Sequence, residues 1–123
     1  AFDRIDQSIA MGALFTAYHL GAKAIVALTD SGSTALWMSR HRIHIPIYAL
    51  TPKVATQRKM TLYRNVSPLL MDTSADRDTA LEQAEKHLKA RGIVQSGDIY
   101  VITCGEPMGA PGGTNMLKIC RVA

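Results

Sequence analysis

Five apolar residues in a row, Ala24-Ile25-Val26-Ala27-Leu28, run straight into Thr29-Asp30-Ser31-Gly32-Ser33-Thr34 and then into Ala35-Leu36. A continuous apolar run of this length suits a strand covered on both faces, as in a parallel sheet with helices above and below. The hydroxyl-rich stretch after it reads as a tight turn into a helix. Ser31 or Ser33 can serve as N-cap, and Gly32 supplies the backbone freedom the turn needs. A helix start presents unpaired N–H groups and the positive end of the dipole, which together seat a phosphate or carboxylate. Many βα turns with this look only connect two elements, so pattern alone makes the turn a candidate. Asp30 opposes a highly charged anion unless its carboxylate points away. No lysine stands in the turn and no Walker pattern surrounds it, which argues against a nucleoside triphosphate.

The remaining chain repeats this strand-and-helix alternation. Asp3 to Leu20 reads as an amphipathic helix, with Ile5, Ile9, Ala13, Ala17 and Leu20 at helical spacing. Asp3 and Asp6 complement its dipole, Gly21 ends it, and Ala10, Gly12, Ala13 and Ala17 allow close approach to a sheet. A second helix covers about Ser33 to Arg42, with Ala35, Leu36 and Met38 or Ser39 inward and Trp37 either core, the reading preferred, or beside the ligand. Ile45 to Leu50 is a second strand with Pro46 at its start. Thr51 and Pro52 open a third helix as cap and first residue, ending near Leu62. Asn65 to Met71 is a third strand, and Pro68 places it at a sheet edge. Thr73 or Ser74 caps a fourth helix that runs to Arg91 with an acidic start and a basic end. Leu81, Ala84 and Leu88 form its buried stripe, and Gly92 stops it.

Asp98 to Cys104 is a fourth strand and Asn115 to Val122 a fifth. The glycine-rich link between them, Gly105 to Thr114, is too short and too irregular for a parallel crossover, so the fifth strand runs antiparallel to its neighbour. Lys118 and Arg121 suit an exposed edge. The sum is a three-layer α/β/α sandwich. Ligands in such sheets gather at the carboxyl ends of the strands. If the first and fourth strands are neighbours, the Thr29–Thr34 turn and the Gly105–Thr114 loop form two walls of one pocket. The glycine loop reads either as a mobile hairpin connection or as a lid whose N–H groups close on an anion.

A chain of 123 residues holds one domain. The formal charge of +4 is uneven: residues 1–60 carry seven Lys/Arg and three acids, residues 61–123 seven of each. A mild positive field favours anionic ligands. Without a basic run or interleaved aromatics there is no case for nucleic acid. No apolar run is long enough to span a bilayer, and no signal peptide is visible. The chain does not begin with Met and reads as a piece of a longer protein or as a processed or tagged one. Cys104 and Cys120 lie in apolar strands without CxxC spacing and read as buried reduced thiols of a cytoplasmic protein. His19, His41, His44 and His87 are scattered and suggest no metal site. Cys104 beside Gly105-Glu106, with His19 or His87, makes no supported catalytic set.

Taken together and in this order, several stretches carry a specific likeness: Gly21-Ala22-Lys23-Ala24-Ile25, Thr29 through Ala35, Pro46-Ile47-Tyr48-Ala49-Leu50-Thr51-Pro52, Leu62 through Pro68, Gly97-Asp98, Gly105 through Gly109, and Gly113-Thr114-Asn115. Over essentially all of residues 1–123 the chain resembles the C-terminal domain of pyruvate kinase, bacterial type. The resemblance implies a mixed five-stranded sheet of order 3-2-1-4-5 with strand 5 antiparallel. It implies a single regulatory domain cut from the catalytic barrel, not itself catalytic and holding no metal or cofactor. The parent it implies is a phosphotransferase of glycolysis that passes phosphate from phosphoenolpyruvate to ADP with Mg2+ and probably K+.

By position, Thr29, Ser31, Gly32, Ser33 and Thr34 match the family's effector-phosphate loop. Gly105, Glu106, Pro107, Gly109, Gly112, Gly113 and Thr114 match the loop that closes over the effector. Enzymes answering to fructose 1,6-bisphosphate often carry Lys or Gln where this chain has Asp30, and can use a Trp and an Arg after strand three. Here Thr73 to Glu82 offers only Arg77. AMP or a sugar monophosphate is therefore the expected effector, and the remaining pyruvate kinase chain and a homo-oligomeric partner are the expected contacts. The alternative is a non-catalytic assembly domain with a vestigial pocket.

Overall fold

Strand β1 (Ala24–Leu28) is buried along its whole length and hydrogen-bonds on both sides. In this computed structural model, which describes residues 4–73, 76–105 and 113–123, it is the middle of a five-stranded sheet of order β3-β2-β1-β4-β5. The other strands are β2 (Ile47–Thr51), β3 (Val66–Leu70), β4 (Ile99–Gly105) and β5 (Thr114–Arg121). β1 pairs in parallel with β2 and β4, and β2 with β3, while β5 is antiparallel to β4. The expected order and the reversed fifth strand are both present.

The helices are α1 (Ile5–Leu20), α2 (Ser33–Ser39), α3 (Val54–Met60) and α4 (Arg77–Ala90). On one face α1 and α2 cover Ile25, Ile47 and Val101, with α3 closing over Ala49 beside α2. On the other face α4 lays Ala80, Leu81, Ala84 and Leu88 on Ala24, Val26, Leu28, Leu50 and Ile102. These residues alternate along β1, as the pleat requires. Fully burying one such Leu or Ile contributes about 1.5–3 kcal/mol.

Local chemistry shifts several boundaries. Thr51 belongs to β2 and does not cap α3. Its Cα pairs with Leu70, and its carbonyl accepts from the Met71 N–H at 2.9 Å, so the ladder continues one residue further than the apolar run. α3 accordingly opens at Val54 after Lys53, with no side-chain cap. β2 begins after Pro46, whose carbonyl accepts from the Ile25 N–H. α2 stops at Ser39, three residues earlier than expected, where Ser39 Oγ donates to the Leu36 carbonyl at 2.7 Å.

α1 turns a different face inward from the one its larger side chains suggest. Ile5 is 68% exposed and Leu20 also faces water, while Asp6, Ala10, Ala13, Leu14 and Ala17 are buried. Small side chains bring the helix axis close to the sheet, which bulky ones at those positions would prevent. β3 is an edge strand, as Pro68 requires. Lys118 and Arg121 are exposed on β5 at the opposite edge. Asn65 precedes β3 with φ 63° and donates its amide to the carbonyls of Ile43 (3.2 Å) and Ile45 (2.8 Å), tying the approach of β2 to that of β3.

The cap of α4 is Asp76; Thr73 precedes it and Ser74 lies outside the described residues. Asp76 Oδ1 accepts from the Thr79 N–H at 3.0 Å, the bond an N-cap makes. Hydrogen bonds from Thr79 hold the Asp76 carboxyl below its ordinary pKa. A carboxyl whose pKa is depressed on folding stabilises the fold above its unfolded pKa and loses that contribution as pH falls through the folded one. We expect Asp76→Ala to melt at a lower temperature than the parent at neutral pH. The gap should close as the solution is acidified through that lowered pKa, a comparison that thermal melts followed by circular dichroism over an acid series would make.

Candidate functional site

The turn after β1 is built by its own hydroxyls. Thr29 continues the sheet, its N–H donating to the Leu50 carbonyl at 3.0 Å. Thr29 Oγ1 accepts from the Gly32 N–H at 2.9 Å, and Ser31 Oγ accepts from the Ser33 N–H at 3.3 Å. The N-cap is Gly32 itself, at φ 83° and without a side-chain cap, so neither Ser31 nor Ser33 holds that position. A side chain at Gly32 would be strained by that φ and would bring its Cβ to 3.1 Å from Met60 Cγ on α3. α3 also clasps the turn from outside: Thr56 Oγ1 donates to the Asp30 carbonyl at 2.6 Å.

Two further hydroxyls tie the turn to distant parts of the chain. Ser33 Oγ donates to Asp6 Oδ2 on α1 at 2.7 Å. Asp6 is only 2% exposed. Arg4 grips it with Nε on Oδ1 at 2.9 Å and Nη2 on Oδ2 at 2.7 Å, and the Gln7 N–H donates to Oδ1 at 2.9 Å. Arg4 Nη2 also lies 3.2 Å from Ser33 Oγ. A buried carboxylate is tolerable only when paired and hydrogen-bonded in this way. On the other side of the turn, Thr34 Oγ1 donates to Thr114 Oγ1 at 2.9 Å, and both residues are buried.

This last bond joins the two walls expected of the pocket. β1 and β4 are neighbours, so the Thr29–Thr34 turn and the β4–β5 connection do leave the sheet side by side. Gly105 and Thr114 are not loop residues, however. They form the last pair of the β4–β5 ladder, with a register shift between Cys104 and Gly105. Gly113 precedes β5, and Glu106, Pro107, Gly109 and Gly112 lie outside the described residues. Arg77 begins α4 and sits on the β5 side of that helix, Nη1 lying 4.0 Å from Met116 Sδ.

Beside the turn, Arg4, Ser31, Ser33, Leu36, Trp37, Lys59 and Tyr63 line a groove of about 440 Å3. No acid occurs between Asp30 and Asp72. The α2–α3 side of the domain thus presents only positive charge from its own side chains, and the groove shares that field. A second groove, of about 380 Å3, lies between α4 and β5. There Tyr100 donates its hydroxyl to Glu85 at 2.7 Å. Burial pushes the pKa of that hydroxyl up, and burial likewise raises the Cys120 thiol above its ordinary value. A thiol kept protonated is a poor nucleophile. Neither cysteine is in a disulfide, Cys104 being buried and Cys120 half-buried. Among the described residues no three His, Cys, Asp or Glu side chains gather to hold a metal ion, and no helix is long and apolar enough to cross a membrane.

Asp6 is the member of this cluster that sequence reasoning treated only as a helix-dipole partner. Its signal was positional: it stands four residues before Ala10 and seven before Ala13, on the buried stripe of α1. The buried hydroxyl pair makes a sharp test of how the turn is held. Thr34→Val keeps the shape, removes the donor and strips Thr114 Oγ1 of that partner. We expect a loss of about 1–3 kcal/mol in urea unfolding, with Thr34→Ser recovering much of it.

Comparison with known proteins matches residues 7–120 to the family model described as "Pyruvate kinase, alpha/beta domain". The chain is 38% identical over 122 residues to "Pyruvate kinase II" of Salmonella typhimurium, covering 98% of this chain and 25% of that protein. It is 37% identical over 122 residues to "Pyruvate kinase" of Buchnera aphidicola subsp. Baizongia pistaciae, covering 98% and 26%. With "Pyruvate kinase" of Staphylococcus epidermidis it shares 39% over 112 residues, covering 91% and 19%. The chain therefore spans about a quarter or less of the length of these relatives. With most of its length matched by the family model and its sheet in the order the resemblance implied, this chain belongs to the pyruvate kinase alpha/beta domain family.

Proposed function

We propose that this chain is the regulatory domain of a pyruvate kinase and binds a phosphorylated small molecule on the Thr29–Thr34 turn. The observation that carries the reading is the adjacency of that turn to the β4–β5 connection, joined through Thr34 and Thr114. An anion on the turn would meet backbone N–H groups and the Ser31 and Ser33 hydroxyls, with Arg4 and Lys59 in the adjoining groove. The segment from Gly105 to Thr114 would close over it. A monophosphate, AMP or a sugar phosphate, suits the turn better than a bisphosphate. Asp30 disfavours a second negative charge, and Arg77 sits toward β5.

The whole enzyme would be a cytoplasmic phosphotransferase of glycolysis, moving phosphate from phosphoenolpyruvate to ADP. Its Mg2+ and K+ would be held outside this domain, in the catalytic barrel that the resemblance implies. The effector acts by binding one quaternary state better than another, because an effector without differential affinity shifts nothing. The partners would be further pyruvate kinase chains in a homotetramer. The outer edge of β5 and the exposed Phe15 and Tyr18 of α1 suit such a contact.

One observation favours the second reading, an assembly domain with a vestigial pocket. The hydroxyls of Thr29, Ser31, Ser33 and Thr34 are all engaged within the protein. Isothermal titration with AMP, ribose 5-phosphate, glucose 6-phosphate and fructose 1,6-bisphosphate separates the two. The regulatory reading expects saturable binding of a monophosphate, weakened about tenfold or more when Ser31 and Ser33 are both changed to Ala, as loss of two charge-assisted hydrogen bonds implies. Absence of binding in the full-length enzyme would establish the assembly reading.

A further inference from the structure

Asp6 presents an unusual arrangement for a residue next to a phosphate turn. It is an internal anion, almost wholly buried, already seated on the Ser33 hydroxyl and on a guanidinium at the mouth of the groove. A serine hydroxyl has one proton to donate. Ser33 spends it on Asp6 Oδ2 at 2.7 Å and so cannot give it to a phosphate at the same time. Arg4 turns Nε and Nη2 onto the same carboxylate.

We propose that Asp6 is a built-in rival of the effector phosphate: its carboxylate holds Ser33 and Arg4, and a phosphate monoester arriving on the turn takes the Ser33 hydroxyl from it. This rests on the reading that the phosphate sits on the Thr29–Thr34 turn. The consequence lies in α1. Asp6 Oδ1 also accepts the Gln7 N–H, in the first turn of that helix. When Ser33 turns to the ligand, the carboxylate loses one of its partners and is repelled by the phosphate. The hold on the first turn of α1 then loosens. Ligand binding on one element is thereby linked to the order of another, 27 residues away in sequence. The rivalry also lowers affinity, and selects ligands that carry enough charge on one group to displace a carboxylate.

The full-length enzyme tests this with ribose 5-phosphate as probe. Asp6→Asn keeps the shape and removes the charge. The expected result is binding at least about threefold tighter than in the parent, because a like charge beside the phosphate is gone. In a Ser33→Ala background the same change should gain less, since the contested hydroxyl is absent. In the parent, amide exchange at Gln7 should speed up when ribose 5-phosphate is added. That readout does not depend on how any variant folds. Unchanged or weaker binding by a folded Asp6→Asn protein overturns the proposal, as does Gln7 exchange that slows or stays the same in a saturated parent. If the parent itself binds none of the phosphorylated probes, the functional reading falls and this inference with it, whereas a parent that binds with no response at Asp6 or Gln7 overturns this inference alone.

Discussion

The double burial of β1 sets the geometry of everything around it. Its backbone is paired to β2 on one side and β4 on the other, and its side chains meet α1 and α2 on one face and α4 on the other. No residue of the strand can turn polar or slip by one position without placing the wrong side chains against both layers. The strand therefore ends at one defined place, and the Thr29–Thr34 turn starts there. Because β4 is the immediate neighbour, the connection to β5 leaves the sheet next to that turn. The candidate pocket is a result of strand order before it is a result of any particular hydroxyl.

Around that fixed point the chain has placed a polar cluster in a poorly hydrated setting. Asp6, Thr29, Thr34 and Thr114 are all buried. In such a setting an unpaired polar atom costs more than a made hydrogen bond returns. Each hydroxyl of the turn accordingly has a partner, and the partners come from α1, the turn itself and β5. A turn whose hydroxyls are already engaged is rigid and pre-shaped. In the proposed role it would have to exchange one bond for another when a ligand arrives, and such an exchange would transmit to whichever element supplied the first partner.

The proposed regulatory role draws on two further features. Neither thiol is in a disulfide, one is buried and burial raises the pKa of the other, and the charge of the α2–α3 side is of one sign over a long stretch of chain. A field of one sign attracts anions. The membership in the pyruvate kinase alpha/beta domain family gives that reading its biological setting, and the hydrogen-bonded links between α1, the turn and β5 describe how occupancy would be felt across the domain.

Residues close together in the chain determined a good deal by themselves. The apolar run of β1, the buried stripe and basic end of α4, the edge position that Pro68 demands and the short link that reverses β5 all depend on neighbours within about ten residues, where periodicity and backbone chemistry act directly. The turn itself was legible for the same reason. What lay beyond it needed the tertiary structure. Thr51 went to β2 because Leu70 pairs with it. Asp76 capped α4 because its geometry, rather than that of Thr73, met the Thr79 N–H. α1 kept the close approach its alanines allowed but left Ile5 in water, because that approach has no room for a bulky side chain. The partners of Ser33 and Thr34 stand 27 and 80 residues away. A hydroxyl or carboxylate makes its bond with whatever packing brings within about 3 Å, and no local pattern states which distant residue that will be.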